Sequence, residues 1–484
     1  MKRKIIIIGS GFSALSAASY LSQKGHDVHI YEKNSSLGGR ARQFTKEGFT
    51  FDMGPSWYWM PDVFESFYND FGKTTSDFYK LERLDPGYQV IFGENDFMPI
   101  GDSLEKIYHV FEKEENGSRK KLERFMAEAK ENYEIAIKDL VYRPGISPLE
   151  LITPTTIRKV RLFISTIQKE VFNKFKSDKL RQVLQFPVLF LGAKPENTPA
   201  FYNFMNYADF GLGTWHPEGG MYSIVKAMVS IATSLGVHFN TDAAVEKINV
   251  DSMGKAIGIR SNGEDISADI VLSGADYQHS ETLLEEKYRA YSKAYWDKKV
   301  FAPSSLLFYM GLDKKVDRLL HHNLFFDVDF ATHAKTIYDT PSWPKEPLFY
   351  ANFPSISDST MAPKNKETGF ILIPIAPGIE DTPEMRKEQF DIVLERMERL
   401  THQDIKKHIL FTESYCLKDF VSDYNSYKGN AYGLANTLLQ TAFLRPKLKS
   451  KKVKNLYFTG QLTVPGPGVP PALISGKLVS DLIG

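Results

Sequence analysis

Residues 4–32, with the sequence KIIIIGSGFSALSAASYLSQKGHDVHIYE, constrain the fold more than any other part of the chain. Four consecutive isoleucines, residues 5–8, are typical of a parallel strand that is buried on both faces. They are followed by a G-x-G-x-x-A turn, by a predicted helix over residues 13–23 that ends at Gly25, and by a predicted second strand over residues 28–31. This order of elements predicts a Rossmann-like α/β unit that binds an adenine dinucleotide.

The turn between the first strand and the helix contains residue types that a pyrophosphate site needs. Gly9 permits the sharp turn, and Gly11 lets the backbone approach a pyrophosphate. Ala14 stands where a third glycine would be, and it is small enough for close packing of the helix on the strand. With Gly9, Gly11, Phe12 and Ser13 it is counted among the predicted cofactor contacts. The backbone amides of Gly11, Phe12 and Ser13 are expected to face the phosphates at the positive end of the helix.

Glu32 ends the second predicted strand. At this distance from the glycines a carboxylate accepts hydrogen bonds from the ribose of the adenosine. A glutamate there disfavours a 2'-phosphate, so the sequence argues against NADP.

A second glycine-rich stretch follows within eight residues of Glu32. Gly38 and Gly39 provide open backbone, and Arg40 is able to pair with a pyrophosphate. Gly54 and Pro55 follow shortly afterwards. NAD dehydrogenases instead continue into ordinary crossover units, so this second phosphate contact favours FAD. Together these elements resemble the superfamily of FAD-containing amine oxidases and phytoene desaturases.

The other end of the chain supplies a matching half-site. Residues 455–459 are predicted to form a buried strand that Gly460 ends, and residues 464–471 form a loop rich in proline and glycine. Because proline is tolerated only in the first turn of a helix, the last helix is predicted to begin at Pro470 or Pro471. Its positive end suits the flavin edge that carries negative charge when reduced. The predicted cofactor contacts in this part are Gly460, Gly468 and Val469.

Four blocks make the resemblance more specific. Residues 38–40, 51–56, 215–221 and 456–460, the last with its Pro-Gly loop, resemble the bacterial phytoene desaturase type of carotenoid desaturase over nearly the whole chain. The resemblance implies that the backbone of Val245 meets the adenine of FAD.

The resemblance also implies an α/β fold of the GR2 flavoprotein type with three parts. The Rossmann-like FAD-binding domain is expected over residues 1–100, 215–285 and 450–484. A helical subdomain that associates with a membrane or forms a substrate channel is expected over residues 103–214. A substrate-binding domain with its own mixed sheet is expected over residues 286–449.

The function that the resemblance implies is an FAD-dependent phytoene desaturase, which introduces successive double bonds to give lycopene-type products. Four alternatives stay open at this point. They are a desaturase of another carotenoid, such as a hydroxylated one, a carotenoid isomerase, an amine oxidase of the same fold, and a flavin-free lipid-binding escort like the GDP dissociation inhibitors.

The middle of the chain contains a candidate membrane-contacting helix at residues 157–181. Apolar residues recur there at steps of three or four, at Ile157, Val160, Ile164, Ile167, Val171 and Phe175. Eight basic residues surround this stripe, with only Glu170 and Asp178 as acidic ones. A basic amphipathic helix suits anionic lipid headgroups, although a core helix with a solvated basic face has the same pattern.

Aromatic residues that could line a tunnel for a polyene are clustered at Trp57, Tyr58 and Trp59. This cluster is the best candidate substrate contact because it follows Gly54 and Pro55.

The sequence identifies no catalytic side chain. The reaction needs hydride loss to the flavin and proton loss from the neighbouring carbon, so that positioning carries much of the catalysis. Glu150 is the nearest carboxylate by position, and we interpret it as structural, together with His216 and His279.

Composition restricts the remaining possibilities. The single cysteine, Cys416, excludes a disulfide framework and a cysteine-ligated metal site, and no metal is expected. The formal net charge of +1 gives no argument for nucleic acid. The expected location is the cytoplasm, with peripheral association at the inner face of the cell membrane. The expected partners are a long apolar polyene and, as electron acceptor, quinone or oxygen.

Overall fold

The computed structural model of the chain describes residues 1–189, 192–437 and 439–484. A five-stranded parallel sheet brings both ends of the chain together. Its strands, in spatial order, are Leu456–Phe458, Ile270–Ser273, Lys4–Ile8, Asp27–Tyr31 and His238–Asn240. The first strand of the chain lies at the centre, and connections leave it in opposite directions. A crevice therefore opens at its carboxyl end, as is typical of such sheets.

The helices of this layer confirm the pattern read from the sequence. The predicted first and last helices are present as Phe12–Gln23 and Val469–Ile483, and they pack against each other. At their contact, a Cβ atom on Gly476 would lie 2.5 Å from the carbonyl oxygen of Ser13. The absence of a side chain at Gly476 thus allows the close approach of the two helices.

A three-stranded antiparallel sheet covers the other face of the parallel sheet. It consists of Val245–Val250, Ala256–Ser261 and Glu264–Ser267. Its second and third strands are joined by a two-residue turn of Asn262 and Gly263, a residue pair that is typical of β-hairpins. Buried apolar side chains from both sheets, among them Ile6 and Ile259, form one cluster between them.

A seven-stranded mixed sheet forms the second large layer. Its order is Ile409–Tyr415, Ser304–Leu312, Glu367–Ile375, Phe349–Asn352, His322–Phe325, Tyr88–Gly93 and Asp96–Ile100. Helix Pro383–Thr401 packs on it through an apolar cluster that includes Phe308 and Met397. Two of its strands lie within residues 88–100, which the sequence analysis assigned to the first domain. Strand Tyr88–Gly93 belongs to this sheet because it pairs in parallel with strand His322–Phe325, more than 200 residues later in the chain. No local sequence pattern indicates such a remote pairing.

The predicted continuous helix over residues 157–181 is wrong. The chain forms separate helices, Val160–Ile164 and Ile167–Lys174, because Ser165 and Thr166 between them are extended. The Thr166 hydroxyl caps the second helix by accepting a hydrogen bond from the amide of Lys169 at 3.3 Å.

This break divides the apolar stripe into two parts with different surroundings. Ile157, Val160 and Ile164 are exposed, whereas the later members of the stripe are buried in the core. The buried members are Ile167, Val171 and Phe175. The three-to-four-residue spacing of apolar residues continues across the break by coincidence. The spacing therefore did not reveal that only the first half of the stripe faces outward.

The remaining elements connect these layers. Two short antiparallel pairs join Gln43–Lys46 with Phe49–Asp52, and Leu81–Arg83 with Trp215–Pro217. The other α-helices are Pro61–Asn69, Leu104–Glu114, Ser118–Lys138, Pro154–Arg158, Asp178–Leu189, Phe204–Asn206, Tyr222–Ser234, Tyr277–Thr282, Lys293–Asp297, Phe330–Tyr338 and Leu417–Tyr424. A π-helix spans Tyr207–Gly211. The 3-10 turns are Gly39–Ala41, Thr75–Asp77, Leu140–Tyr142, Pro148–Leu151, Ala200–Asn203, Glu286–Tyr288, Pro354–Ile356, Ser359–Met361, Lys406–His408, Tyr427–Gly429 and Ala442–Leu444. Within the described ranges, no helix is both long and apolar enough to cross a bilayer.

Candidate functional site: two cavities that meet

A cavity of about 450 Å³ occupies the crevice at the carboxyl end of the central strand, and we call it the cofactor cavity. The structure brings fourteen of the fifteen residues predicted to contact the cofactor to its wall. They are Gly9, Gly11, Phe12, Ser13, Glu32, Gly38, Gly39, Arg40, Gly54, Pro55, Val245, Gly460, Gly468 and Val469. They come from both ends and the middle of the chain, and the parallel sheet is what collects them.

Ala14 is the exception, since it does not line the cavity. It packs beneath the strand end, where a Cβ atom on Gly274 would lie only 2.9 Å from the Ala14 Cβ. Its small side chain therefore serves the packing of helix on strand, and the assignment of Ala14 as a direct cofactor contact is corrected.

The two glycine-rich loops of the cavity approach each other closely. A Cβ atom on Gly39 would lie 3.1 Å from the Cα of Gly11, and Gly39 also has a positive φ of 56°. A Cβ atom on Gly54 would lie 2.5 Å from the carbonyl oxygen of Arg40. Side chains at these positions would separate the loops, which explains the need for glycine.

Glu32 is buried at the edge of the cavity and is held by protein donors. One carboxylate oxygen accepts from the backbone and hydroxyl of Ser10, at 3.0 and 2.7 Å. The other accepts from the backbone and side-chain amides of Asn34, both at 2.9 Å. These four bonds fix the carboxylate at the cavity edge and occupy its four lone-pair sites, so a ribose hydroxyl would have to share or displace one of the protein donors.

Arg40 carries the clearest sign that the cavity takes an anion. Arg40 is half-buried, and its guanidinium donates to the Ser426 hydroxyl and to the Asn430 carbonyl, the latter at 3.2 Å. Its Nε is buried without a hydrogen-bond partner, and no carboxylate of the described residues forms an ion pair with it. Burial lowers the pKa of Arg40, with the charge of Asp276 opposing this effect. A pyrophosphate fits a half-buried cation in this state, and Arg40 would hold it.

Sequence reasoning missed several residues of this cavity. Ser10, between the first two glycines, lines the wall and orients Glu32. Asp276 also lines it and caps helix Tyr277–Thr282 by accepting from the Gln278 amide at 3.0 Å. An aspartate directly after a buried strand is an N-cap signal that would have drawn attention to it. Tyr424 carries no local signal, yet it lines the cavity beneath Arg40.

A second cavity of about 590 Å³ adjoins the first, and we call it the apolar cavity. Its wall is mainly aromatic and aliphatic, with Phe186, Phe201 and Phe326 among its residues. Six residues line both cavities: Gly54, Pro55, Leu372, Tyr432, Gly468 and Val469. This shared wall, which we call the junction, is where an apolar substrate would meet the reactive end of the cofactor.

The aromatic cluster divides between the apolar cavity and the core. Trp57 and Trp59 line the cavity, and their contact with substrate stays a prediction. Tyr58 points the other way, where it is fully buried, stacks on Phe64 and lies 3.1 Å from the Tyr79 hydroxyl. Successive side chains of extended backbone alternate in direction, so the three neighbours could not all face one cavity. The assignment of Tyr58 as a substrate contact is corrected.

Asp52 and the block of residues 215–221 support the cofactor cavity without lining it. Asp52 accepts from the amide of Met221 at 2.7 Å and from that of Tyr222 at 3.2 Å, at the start of helix Tyr222–Ser234. Gly220 makes room, because a Cβ atom there would lie 2.5 Å from the Asp52 carboxylate. Burial raises the pKa of Asp52 to about 6. The Phe-Asp and Pro-Glu-Gly-Gly-Met motifs thus form one structural contact.

The polar residues considered for catalysis occupy structural positions. Glu150 is the single carboxylate among the described residues lining the apolar cavity, and it accepts from three backbone amides at 2.9 to 3.1 Å. His216 is buried with its Nε2 at 2.9 Å from Asp358. His279 lines the cofactor cavity, with its Nε2 at 3.2 Å from the Asn425 amide. None of the three points a free group at the junction.

Comparison with known proteins gives the same assignment as the site. Residues 12–484 match the family described as flavin containing amine oxidoreductase. The chain is 40% identical to a carotenoid 3,4-desaturase of Haloarcula japonica, over 99% of this chain and 97% of that protein. It is 30% identical to a zeta-carotene-forming phytoene desaturase of Myxococcus xanthus, over 99% and 93%. Among solved structures, an oxidoreductase from Methanosarcina mazei matches with a TM-score of 0.67 and 19% identity, covering 99% of this chain and 100% of that one.

Proposed function

The chain belongs to the flavin-containing amine oxidoreductases and, within them, to the carotenoid desaturases, and from this premise we propose that it desaturates phytoene in successive steps to lycopene-type products. FAD is its cofactor. The observation that carries the proposal is the apolar cavity, which joins the cofactor cavity at six shared residues. A hydrocarbon chain is the ligand class that such a wall accepts.

The chemistry follows from the apolar wall. The bound flavin supplies a two-electron acceptor for the hydride that leaves an allylic carbon. The chain's own residues hold the polyene at the junction and keep water out, so that the developing positive charge is spread over the polyene and is not captured by solvent. Trp57 and Trp59 would provide rigid walls for this positioning.

A second candidate is desaturation at the 3,4 position of a carotenoid that is already conjugated. The higher identity to the Haloarcula 3,4-desaturase than to the Myxococcus phytoene desaturase favours it. Both reactions remove a hydride and a proton from adjacent carbons of a polyene, so the same junction would serve either one.

The amine oxidase and escort alternatives receive less support. An amine substrate needs a polar or anionic partner, and the carboxylate of Glu150 is already held by backbone amides. A flavin-free escort would bind no pyrophosphate, so it would not need Arg40 and the glycine loops that suit a second phosphate contact. An isomerase would share the cavities but would not consume an electron acceptor.

Expression of the chain in bacteria that accumulate phytoene tests the proposal. We expect phytoene to be consumed and pigments with longer conjugation to appear in the extracts. Cells that carry the chain with Arg40→Gln are the matched control, since loss of the cofactor would leave phytoene intact.

A parallel strain that accumulates lycopene separates the two candidates. Unchanged phytoene in the first strain, together with a red-shifted product in the second, would reject phytoene as substrate and support the 3,4-desaturase. Unchanged pigment in both strains would reject the proposed function.

Delivery of such a substrate requires contact with a bilayer, and we assign that contact to an apolar rim at the cavity mouth. We define the rim as Ile146, Leu149, Ile152, Ile157, Val160 and Ile164, whose side chains are 55 to 76% exposed. Gly145, Ser147, Glu150 and Phe163, interleaved with them in sequence, line the apolar cavity. Exposed apolar side chains around a hydrophobic opening are typical of a membrane-contacting surface. This contact would place the chain at the inner face of the cell membrane, where quinone or oxygen reoxidises the flavin.

The triple variant Ile157→Ser, Val160→Ser, Ile164→Ser tests the rim. We expect the purified variant to float with anionic liposomes at least 10-fold less than wild type, because about 1.5 to 3 kcal/mol of insertion energy is lost per large side chain. Met253→Ser is the control, since Met253 is 74% exposed in the turn between the first two strands of the three-stranded sheet, and no described residue of that sheet lines the apolar cavity. Equal flotation of the triple variant and wild type would show that the rim does not bind lipid.

A further inference from the structure

A pair of hydroxyl groups at the wall of the apolar cavity leads into a buried histidine. Ser56 and Tyr350 both line the cavity, and their oxygens are 3.0 Å apart. Behind them, the Tyr350 hydroxyl lies 2.6 Å from Nδ1 of His322. His322 is fully buried and stacks on Trp57, with ring centroids 4.2 Å apart. A continuous hydrogen-bonded path therefore runs from the cavity surface to an imidazole.

The neighbours of His322 determine its tautomer. The Asn352 side-chain amide nitrogen lies 3.2 Å from Nδ1, and it also donates to the carbonyl of His321 at 2.9 Å. An amide nitrogen is only a donor, so this arrangement puts the lone pair on Nδ1, where the Tyr350 hydroxyl makes the shorter of two donated contacts, and leaves the buried Nε2–H without a partner among the described residues. Burial keeps the pKa of His322 well below its usual value, so the ring is neutral with Nδ1 available.

These groups are placed beside the junction. Tyr350 pairs across neighbouring strands with Leu372, which lines both cavities. Ser56 directly follows Pro55, which also lines both. The Tyr350 hydroxyl thus lies next to the place where the polyene would meet the flavin, on a rigid sheet rather than on a loop.

We propose that Tyr350 and His322 accept the proton that desaturation releases, an inference that rests on the proposed function. When a hydride leaves the allylic carbon for the flavin, the C–H bond on the neighbouring carbon becomes strongly acidic. Its proton moves to the Tyr350 oxygen while the phenolic proton moves to Nδ1 of His322. The electrons of that C–H bond form the new double bond, so the substrate has lost one hydride and one proton.

His322 belongs to a buried histidine cluster, in which burial and the nearby charge of His216 both lower its pKa. His321 and His216 continue the cluster, with ring centroids 4.3 Å and then 4.6 Å apart. His216 in turn is hydrogen-bonded to the buried carboxylate of Asp358 at 2.9 Å. The carboxylate of Asp358 contacts His216 and not His322, so the His322 imidazolium, with its lowered pKa, would release its proton readily. A weak base is sufficient here, because a carbocation is the acid.

Anaerobic single-turnover measurements on the FAD-loaded enzyme test the proposal. Phytoene is mixed with the enzyme in liposomes, and the loss of flavin absorbance is followed in H₂O and in D₂O. We expect Tyr350→Phe and His322→Gln to slow the limiting rate about 100-fold or more, with substrate affinity little changed. The wild-type rate should be slower in D₂O, and both variants should lose this isotope effect.

A control variant separates this role from a structural one. Tyr309→Phe removes another buried hydroxyl of the same sheet, which donates to the Met53 carbonyl at 2.8 Å and does not line either cavity. The Tyr309→Phe variant should lose about as much thermal stability as Tyr350→Phe, but its flavin absorbance should decrease at the wild-type rate. A Tyr350→Phe enzyme with FAD bound, a normal rate and an unchanged isotope effect would overturn the relay while leaving the proposed function intact. Wild-type enzyme that does not bleach would overturn the proposed function itself.

Discussion

Replacement of Arg40 by glutamine is expected to weaken FAD binding about 100-fold or more. The loss of a buried, hydrogen-bonded charge partner costs about 2–5 kcal/mol, and each 1.4 kcal/mol is a factor of ten in affinity. The Arg40 guanidinium lines the cofactor cavity, has an unpartnered Nε and pairs with no carboxylate of the described residues. Titration of the apoprotein with FAD, followed by flavin fluorescence, measures the effect.

Arg42 offers a closely matched control for this experiment. It lies over the same Tyr424 ring at 5.2 Å, but it is ion-paired with Asp423 and does not line the cofactor cavity. Arg42→Gln should therefore lower thermal stability while FAD affinity stays within a few fold of wild type. Equal FAD affinity of the two variants would show that Arg40 is only a structural tie to Ser426 and Asn430.

Replacement of Asp209 by asparagine is expected to change how stability depends on pH. Asp209 is buried in the π-helix, where it accepts a hydrogen bond from the Tyr88 hydroxyl at 2.7 Å. Burial raises the pKa of Asp209 from 3.8 to about 8. The folded protein thus holds a proton that the unfolded chain releases above pH 3.8. The stability that this proton contributes is complete below the unfolded pKa and is lost as the pH rises to about 8.

Because the raised pKa of Asp209 stabilises the folded protein at low pH, the stability advantage of wild type should decrease as the pH rises. Between pH 5 and 8, the unfolding free energy of wild type relative to Asp209→Asn should fall by about 1.4 kcal/mol per pH unit, and it should level off above that range. Urea denaturation of both proteins at several pH values measures the difference.

Asp62→Asn is the control for Asp209→Asn. Asp62 also accepts from a tyrosine hydroxyl, that of Tyr133 at 2.8 Å, but it is exposed. Asp62→Asn removes a similar tyrosine–aspartate hydrogen bond from an exposed position. The difference in unfolding free energy between wild type and Asp62→Asn should not show the pH slope expected for Asp209→Asn. A pH-independent difference for Asp209→Asn would show that this carboxyl is ionised in the folded protein at neutral pH.

The parts of the fold that were predictable depend on local pattern. The Gly9 turn, helix Phe12–Gln23 and the Asn-Gly hairpin are each encoded within a few residues, and the structure has all of them. The cofactor-cavity residues were predictable for the same reason, because phosphate binding needs open backbone at a helix start. Ala14 shows the limit of this reasoning, since a position in a motif does not state whether it contacts the ligand or the neighbouring strand.

Other features depend on partners that are remote in sequence. Strand Tyr88–Gly93 completes the seven-stranded sheet only by pairing with residues 323–325. The stripe over residues 157–181 has one period but two environments, because tertiary packing buries Val171 and leaves Ile164 exposed. Tyr350 and His322 carry no motif, and they meet only because adjacent strands align them.

The sequence by itself determined the cofactor class and the unit that holds it, because a strand, a glycine turn, a helix and an acidic strand end are local requirements of dinucleotide binding. Tertiary structure alone decided where the apolar cavity meets the cofactor cavity, which aromatic side chains line it, which hydroxyl groups face it, and which imidazole lies behind them. Those relations join residues some 300 positions apart, such as Ser56 and Tyr350. They are set by strand pairing and by the packing of whole layers, which no local pattern encodes.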